Sequence, residues 1–157
     1  MSRMVLAEQG HPINILSPQD VAAGVSSRVF SMRNASHVSI FVTAGATDAD
    51  AGNITIEECD DFVPTNDTAI DFYYYAETTD AGDTLGARTL AAAATGIDVS
   101  ANNNITYVIE IDAEQLSEGY PNLILKWSAC GGATYGSAVA ILTGYAFQGK
   151  DQPTEIA

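Results

Sequence analysis

Ile105-Thr106-Tyr107-Val108-Ile109-Glu110-Ile111-Asp112 is the stretch on which the fold turns. Ile105, Tyr107, Ile109 and Ile111 recur at every second position, with Thr106, Glu110 and Asp112 between them. Successive side chains leave a pleated strand on opposite faces, so this spacing predicts a strand with one face buried and the other wet. Downstream, Asp112 stands before Ala113-Glu114-Gln115-Leu116, and Gly119 follows. Asp112 can cap the first free amides, Gln115 can reach back to it and Gly119 can close the end, which predicts a single helical turn. Residues 122–129 then alternate Leu123, Leu125 and Trp127 against Ile124, Lys126 and Ser128, and residues 137–147 are small and β-branched, as a last strand would be.

The same alternation recurs upstream. Residues 37–43 place Val38, Ile40 and Val42 on one face. Residues 53–59 place Ile54 and Ile56 on one face, opposite Thr55, Glu57 and Cys59. Residues 69–77 place Ile70, Phe72 and Tyr74 on one face. Fainter strands are expected over residues 27–33 and 84–91, and a second helical turn over residues 91–94 would be stopped by Gly96. The segments between are rich in Gly, Asp and Asn, such as Asp48-Ala49-Asp50-Ala51-Gly52-Asn53 and Thr79-Asp80-Ala81-Gly82-Asp83, residues that accept turn conformations. The expected fold is therefore all-β: a single antiparallel β-sandwich, jelly-roll-like, of about eight strands with one short helical turn.

With 157 residues the chain suits one domain. Residues 1–25 hold Pro12, Pro18, Gly10 and Gly24 with few periodic apolar positions, and are expected to be an extended arm, ordered by a partner. Residues 26–147 form the sandwich and residues 148–157 a polar tail. Apolar residues make up 46% and charged residues 17%, a balance that supports a packed core despite a net charge of −14. The charge is segregated: Arg3, Arg28 and Arg33 against Glu8 and Asp20 leave residues 1–37 at +1, so residues 38–157 carry −15. That suits a protein attached by one end and exposed elsewhere.

The six basic residues are isolated from one another, so nucleic-acid binding through displaced counterions is not expected. No apolar run reaches the 18 residues or so of a membrane span, and the Met4-Val5-Leu6-Ala7 core before Glu8 is too short for a signal peptide. The sequons at Asn34, Asn53, Asn66 and Asn104 then read as turn residues. Cys59 and Cys130 could form one disulfide or remain two buried thiols.

The catalytic inventory is small. No zinc-protease, nucleophile-elbow or phosphate-loop pattern occurs, and His37 reads as a polar residue at a strand edge. Glu57, Glu58, Asp60 and Asp61 resemble a glycosidase carboxylate set, but alternation sends Glu57 and Glu58 to opposite faces. Carboxylates around Cys59 raise its thiol pKa and disfavour a reactive thiolate. Asp48 and Asp50 are the residues a Ca2+ ion would use, yet the loop lacks the third acid and distant Glu of a calcium loop, so a hairpin loop is expected and no cofactor. Tyr73-Tyr74-Tyr75 is the most informative surface feature. If Tyr74 enters the core, Tyr73 and Tyr75 face outward beside Asp71 and Glu77, as an interface, an arm contact or a sugar platform would require.

Three segments carry a resemblance: Asn34-Ala-Ser-His-Val-Ser-Ile-Phe-Val-Thr-Ala-Gly45, Gly52-Asn-Ile-Thr-Ile-Glu-Glu-Cys-Asp-Asp61, and residues 107–125 with Tyr-Val-Ile-Glu-Ile-Asp-Ala-Glu-Gln-Leu and Gly-Tyr-Pro-Asn-Leu-Ile-Leu. Together they resemble small structural proteins of tailed bacteriophages, over roughly residues 12–145. The resemblance implies a virion protein, in particular a capsid decoration (cement) protein, made in the host cytoplasm and seated on the outer head shell. Its partner would be the major capsid protein, with a homo-oligomer, a trimer first, on the shell. It implies no enzyme, no nucleic acid and no membrane. Under that reading the interface candidates are Arg3, His11, Pro12, Arg28, Arg33, Tyr73 and Tyr75. The rivals are a carbohydrate-binding module on the virion surface and a head–tail joining or minor tail protein.

Overall fold

A computed structural model describes residues 5–100, 102–145 and 154–156. After one helical turn, α1 (Leu6–Gln9), the described residues form β1 (His11–Asp20), β2 (Val25–Ser26), β3 (Phe30–Ser31), β4 (His37–Ala44), β5 (Asn53–Cys59), β6 (Asp67–Ala69), β7 (Phe72–Ala76), β8 (Thr89–Ala91), β9 (Ile97–Asp98), β10 (Ile105–Asp112), β11 (Asn122–Trp127) and β12 (Tyr135–Thr143). A 3-10 turn, Ala113–Gln115, joins β10 to β11. There the Asp112 amide donates to Gln115 Oε1 at 2.8 Å, half of the reciprocal cap that the sequence predicts.

The strands make two antiparallel sheets. The front sheet runs β1-β12-β4-β10-β7-β8; the back sheet runs β2-β11-β5-β6, with β3 also on β11 and β9 on β5. Taking β2 and β3 as one interrupted strand and setting β7 to β9 aside leaves eight principal strands. First pairs with last (β1 with β12), second with seventh (β2 and β3 with β11), third with sixth (β4 with β10) and fourth with fifth (β5 with β6). This nested pairing is a long hairpin rolled into two sheets, the jelly-roll arrangement. Residues 72–98 are an excursion between the fifth and sixth principal strands, and their β7 and β8 widen the front sheet beyond β10.

The core lies between the sheets. Val38, Ile40, Val42, Tyr107, Ile109 and Ile111 from the front meet Ile54, Ile56, Leu123, Leu125 and Trp127 from the back, none more than 2% exposed. Burial removes each from water at a gain of about 1.5–3 kcal/mol for a large aliphatic side chain. The Trp127 indole N–H donates to the Ala51 carbonyl at 2.8 Å, so its one polar atom is satisfied in the interior. Opposite its ring stands Gly136, where a Cβ would come within 2.4 Å of Trp127 Cζ3; β12 needs a glycine to pass over the indole.

The structure corrects several expectations. The amino-terminal arm does not extend to residue 25: from His11 the chain is β1, paired along β12 from His11↔Leu142 to Asp20↔Tyr135. Ile13 and Ile15 are buried and Pro12 and Asn14 exposed, an alternation that the prolines obscured. Pro12 and Pro18 are tolerated because β1 is an edge strand, where a missing N–H breaks no inner ladder, and because its register shifts between Asn14 and Gln19. The described part of the tail is also docked: Ser31 N–H donates to the Glu155 carbonyl at 2.8 Å, and Ile156 bridges Phe30. Residues 69–77 are not one strand. The chain leaves the back sheet at Ala69 and enters the front sheet at Phe72, with the Asp71 carboxylate accepting the Ala93 amide at 2.7 Å at the corner. Ala91 ends β8, and the tight turn starts one residue later, where the Thr95 and Gly96 amides both reach the Ala92 carbonyl; the last strand begins earlier than expected, at Tyr135. Cys59 and Cys130 are free thiols.

Candidate functional site

Strand register sets out the outer face of the front sheet row by row. One row crosses five strands, Asn14–Val139–Phe41–Val108–Tyr75; the next crosses six, Pro12–Ile141–Ser39–Glu110–Tyr73–Leu90; a third holds Thr143–His37–Asp112. The first row is largely apolar and stays open: Phe41 and Val139 are each 39% exposed, and Leu90 in the second row is 53% exposed. Val108, between Phe41 and Tyr75, is only 7% exposed because its neighbours cover it. Tyr73 and Tyr75 face outward as the alternation predicts, half-buried, while Tyr74 turns inward against Tyr107 at a ring separation of 6.2 Å. The Arg88 guanidinium lies 3.4 Å above the Tyr73 ring, a cation–π contact that fixes both side chains.

A polar clamp lies beside the apolar row. His37 Nδ1 is 2.7 Å from Asp112 Oδ1 and Nε2 is 2.7 Å from Glu110 Oε2, while Ser39 Oγ donates to Glu110 Oε2 at 2.7 Å. A neutral imidazole has one N–H, whereas both carboxylates only accept, so the geometry fits the imidazolium, which donates twice. Burial works to lower the His37 pKa, but its hydrogen bonds to the Asp112 and Glu110 carboxylates, with their negative charge, outweigh it and the net shift is upward from 6.5. Ser39 Oγ also lies 3.5 Å from His37 Nε2. That distance suggests a serine–histidine pair, but Glu110 takes both the hydroxyl proton and the ring nitrogen, leaving no free base for Ser39.

The outer face of the back sheet is built differently. Val29, Cys59 and Ile124 point outward there and are covered by Phe62 from the loop between β5 and β6. Asp60 ties that loop, accepting from Asn66 Nδ2 at 2.9 Å and from the Thr65 and Asn66 amides at 3.3 Å, and the Asn66 contact holds its carboxyl below the usual range. Asn122 Nδ2 donates to the Cys59 carbonyl at 3.3 Å, while its Oδ1 is buried without a partner among the described residues. Lys126 is ion-paired with Glu57 and, at 2.6 Å, with Asp67. An open groove of about 710 Å3 runs beside Lys126, Thr55 and Asn53, but Asn53 Nδ2 already donates to the Thr95 carbonyl and its amide to Ser128 Oγ. Glu57 and Glu58 do diverge: Glu58 is buried and accepts the Ser117 amide at 2.7 Å. Burial first, then Asp67, Asp60 and Glu57, pushes the Cys59 thiol up to about 11.

The interface candidates thus scatter. Pro12 and Tyr73 share a row of the front face, with Tyr75 in the next. His11 packs beside Tyr145, whose hydroxyl lies 3.3 Å from His11 Nδ1. Arg28 lines a cleft with Asn14, Leu16 and Gln19 between β1 and β2, Arg33 lies near Leu116 and Pro121, and Arg3 falls outside the described residues. Asp48 and Asp50 pack over Gly132 and Gly131, and among the described residues no group of three His, Cys, Asp or Glu side chains is placed to hold a metal ion. The sequence reading missed Phe41, Val139 and Leu90 and the His37 clamp. The outward phase of Phe41 was visible, but its exposure depends on what the loops leave uncovered.

No family model matches the chain, and no curated protein is similar to it. Among solved structures it is similar to a chain of the "Structure of infectious bursal disease virus Gx strain", with 13% identity over 95% of this chain and a TM-score of 0.34. This chain spans 36% of that one, and a likeness of this extent carries no functional argument. Among the described residues no helix is long and apolar enough to cross a membrane.

Proposed function

We propose that the chain is a virion structural protein, and more narrowly a decoration protein that binds the outer surface of a tailed-bacteriophage head and stabilises it without catalysing a reaction. The observation that carries this reading is the open front face, where Phe41, Val139 and Leu90 remain in solvent on the outer side of a six-stranded sheet. Exposed apolar rows on rigid strands are characteristic of contact surfaces. The resemblance of residues 34–45, 52–61 and 107–125 to phage structural proteins supplies the partner, the major capsid protein, with copies clustered on the shell, a trimer first. A charge of −14 keeps such a protein soluble at high copy number. Stabilisation then follows by mass action: a ligand of the assembled shell that ignores its dissociated subunits lowers the free energy of the assembled state.

The glycan-binding alternative needs an uncovered aromatic platform, and Arg88 occupies one face of Tyr73. Sedimentation of the protein with mature shells that lack it tests the proposal. Saturable binding at tens to hundreds of copies per particle is expected; a ring of about a dozen at one vertex would make it a joining protein, and no binding would remove the decoration reading.

A further inference from the structure

The question that follows, resting on the decoration reading, is which surface meets the shell and what that surface must offer in return. We propose that the front face seats flat on the shell, and that the shell patch opposite it is apolar at its centre and basic at its edge, where Asp112 projects. Three observations converge. The front sheet's six strands, spaced about 4.8 Å apart with eight-residue central strands, give a face of roughly 600 Å2. Its middle is the Val139–Phe41–Val108–Tyr75 row, and no loop among the described residues covers it as Phe62 covers the face behind. Its border is acidic: Glu110 is held by His37 and Ser39, while Asp112, whose Oδ1 is bonded to His37, has a side chain 67% exposed that can turn its second oxygen to a cation on the shell.

Area and charge select the occupant. A face of roughly 600 Å2 is below the ~800 Å2 per partner of a stable pairwise interface, so a second copy would be held weakly. Two chains of charge −14 would also repel as they approached face to face. A shell escapes both objections. It can present lysine or arginine opposite Asp112, and its repeated lattice holds many copies that need only modest individual affinity, reinforced by linkage among clustered copies.

The test uses the full chain and mature shells lacking it, read by co-sedimentation, with sedimentation velocity of the protein alone. The Phe41→Glu, Val139→Glu double variant is expected to lose at least tenfold in shell affinity while its melting temperature stays near the parent's. Leu90→Glu, on the short edge strand β8, repeats the test if the double variant fails to fold. Asp112→Asn is expected to bind a few-fold more weakly and with less dependence on salt. Val63→Glu, on the exposed loop tip behind, is expected to bind as the parent does. Parent-like binding by the double variant and by Leu90→Glu would overturn the seat while leaving the decoration reading intact, and so would a loss confined to Val63→Glu. A parent that does not bind shells at all would overturn both. A parent that dimerises through a contact the double variant abolishes would assign the face to a second copy and overturn the proposal.

Discussion

The two outer faces of this sandwich start from the same pattern and end differently. In β4 and β10 the outward positions include Phe41 and Val108; in β5 and β11 they include Cys59 and Ile124. Behind, the seven-residue connection between β5 and β6 folds back, is tied by Asp60, and lays Phe62 over the apolar residues. In front, no connection among the described residues does so, and Phe41 and Val139 stay open. Alternation decides which side chains enter the core, but loop geometry decides whether outward apolar residues become a second small core or a contact surface.

Substitutions separate the contributions of the two faces. Both faces depend on the common core, so Trp127→Ala should have the largest effect, about 3–5 kcal/mol of unfolding free energy in urea titration, from the lost ring and the cavity beneath Gly136. Phe62→Ala should cost about 1 kcal/mol, since the ring is only half-buried, and should speed labelling of Cys59 by a thiol reagent; unchanged labelling would show that the loop is not the cover. The His37 clamp gives a smaller, pH-dependent effect. Its folded pKa is raised, so its stabilisation is full below about pH 6.5 and is lost as pH rises through the folded value, because the folded state there holds the extra proton. Melting temperature should therefore decline over that window in the parent, less so in His37→Gln, and a His37 resonance titrating below 6.5 would refute the clamp. Smallest of all, Phe41→Ala with Val139→Ala should change stability by no more than about 0.5 kcal/mol, since both side chains already face solvent.

Much of the fold was legible in the sequence. Val38, Ile40 and Val42, Tyr107, Ile109 and Ile111, and Leu123, Leu125 and Trp127 were each grouped on one face by their period of two, and all are buried. The jelly-roll order was legible only as a class, because the pairing of β1 with β12 spans over a hundred residues and leaves no local signal. The corner at Ile70 and Asp71 was hidden for a related reason: alternation continues smoothly from Ala69 to Phe72 while the strand changes sheets. Prolines misled at Pro12 and Pro18, where edge position removes their usual cost. Of the candidate site, the outward phase of Tyr73 and Tyr75 could be read in advance. The clamp could not, since His37, Glu110 and Asp112 become neighbours only through the β4–β10 register.

In the proposed assembly the open front face is the contact surface. Hydroxyl-radical footprinting of the free and shell-bound protein tests it most directly, because Phe41, Tyr75 and Leu90 in front and Phe62 behind all carry oxidisable side chains. Protection of Phe41, Tyr75 and Leu90 on binding, with Phe62 unchanged, is the predicted result. Protection of Phe62 with Phe41 and Leu90 still reactive would contradict it.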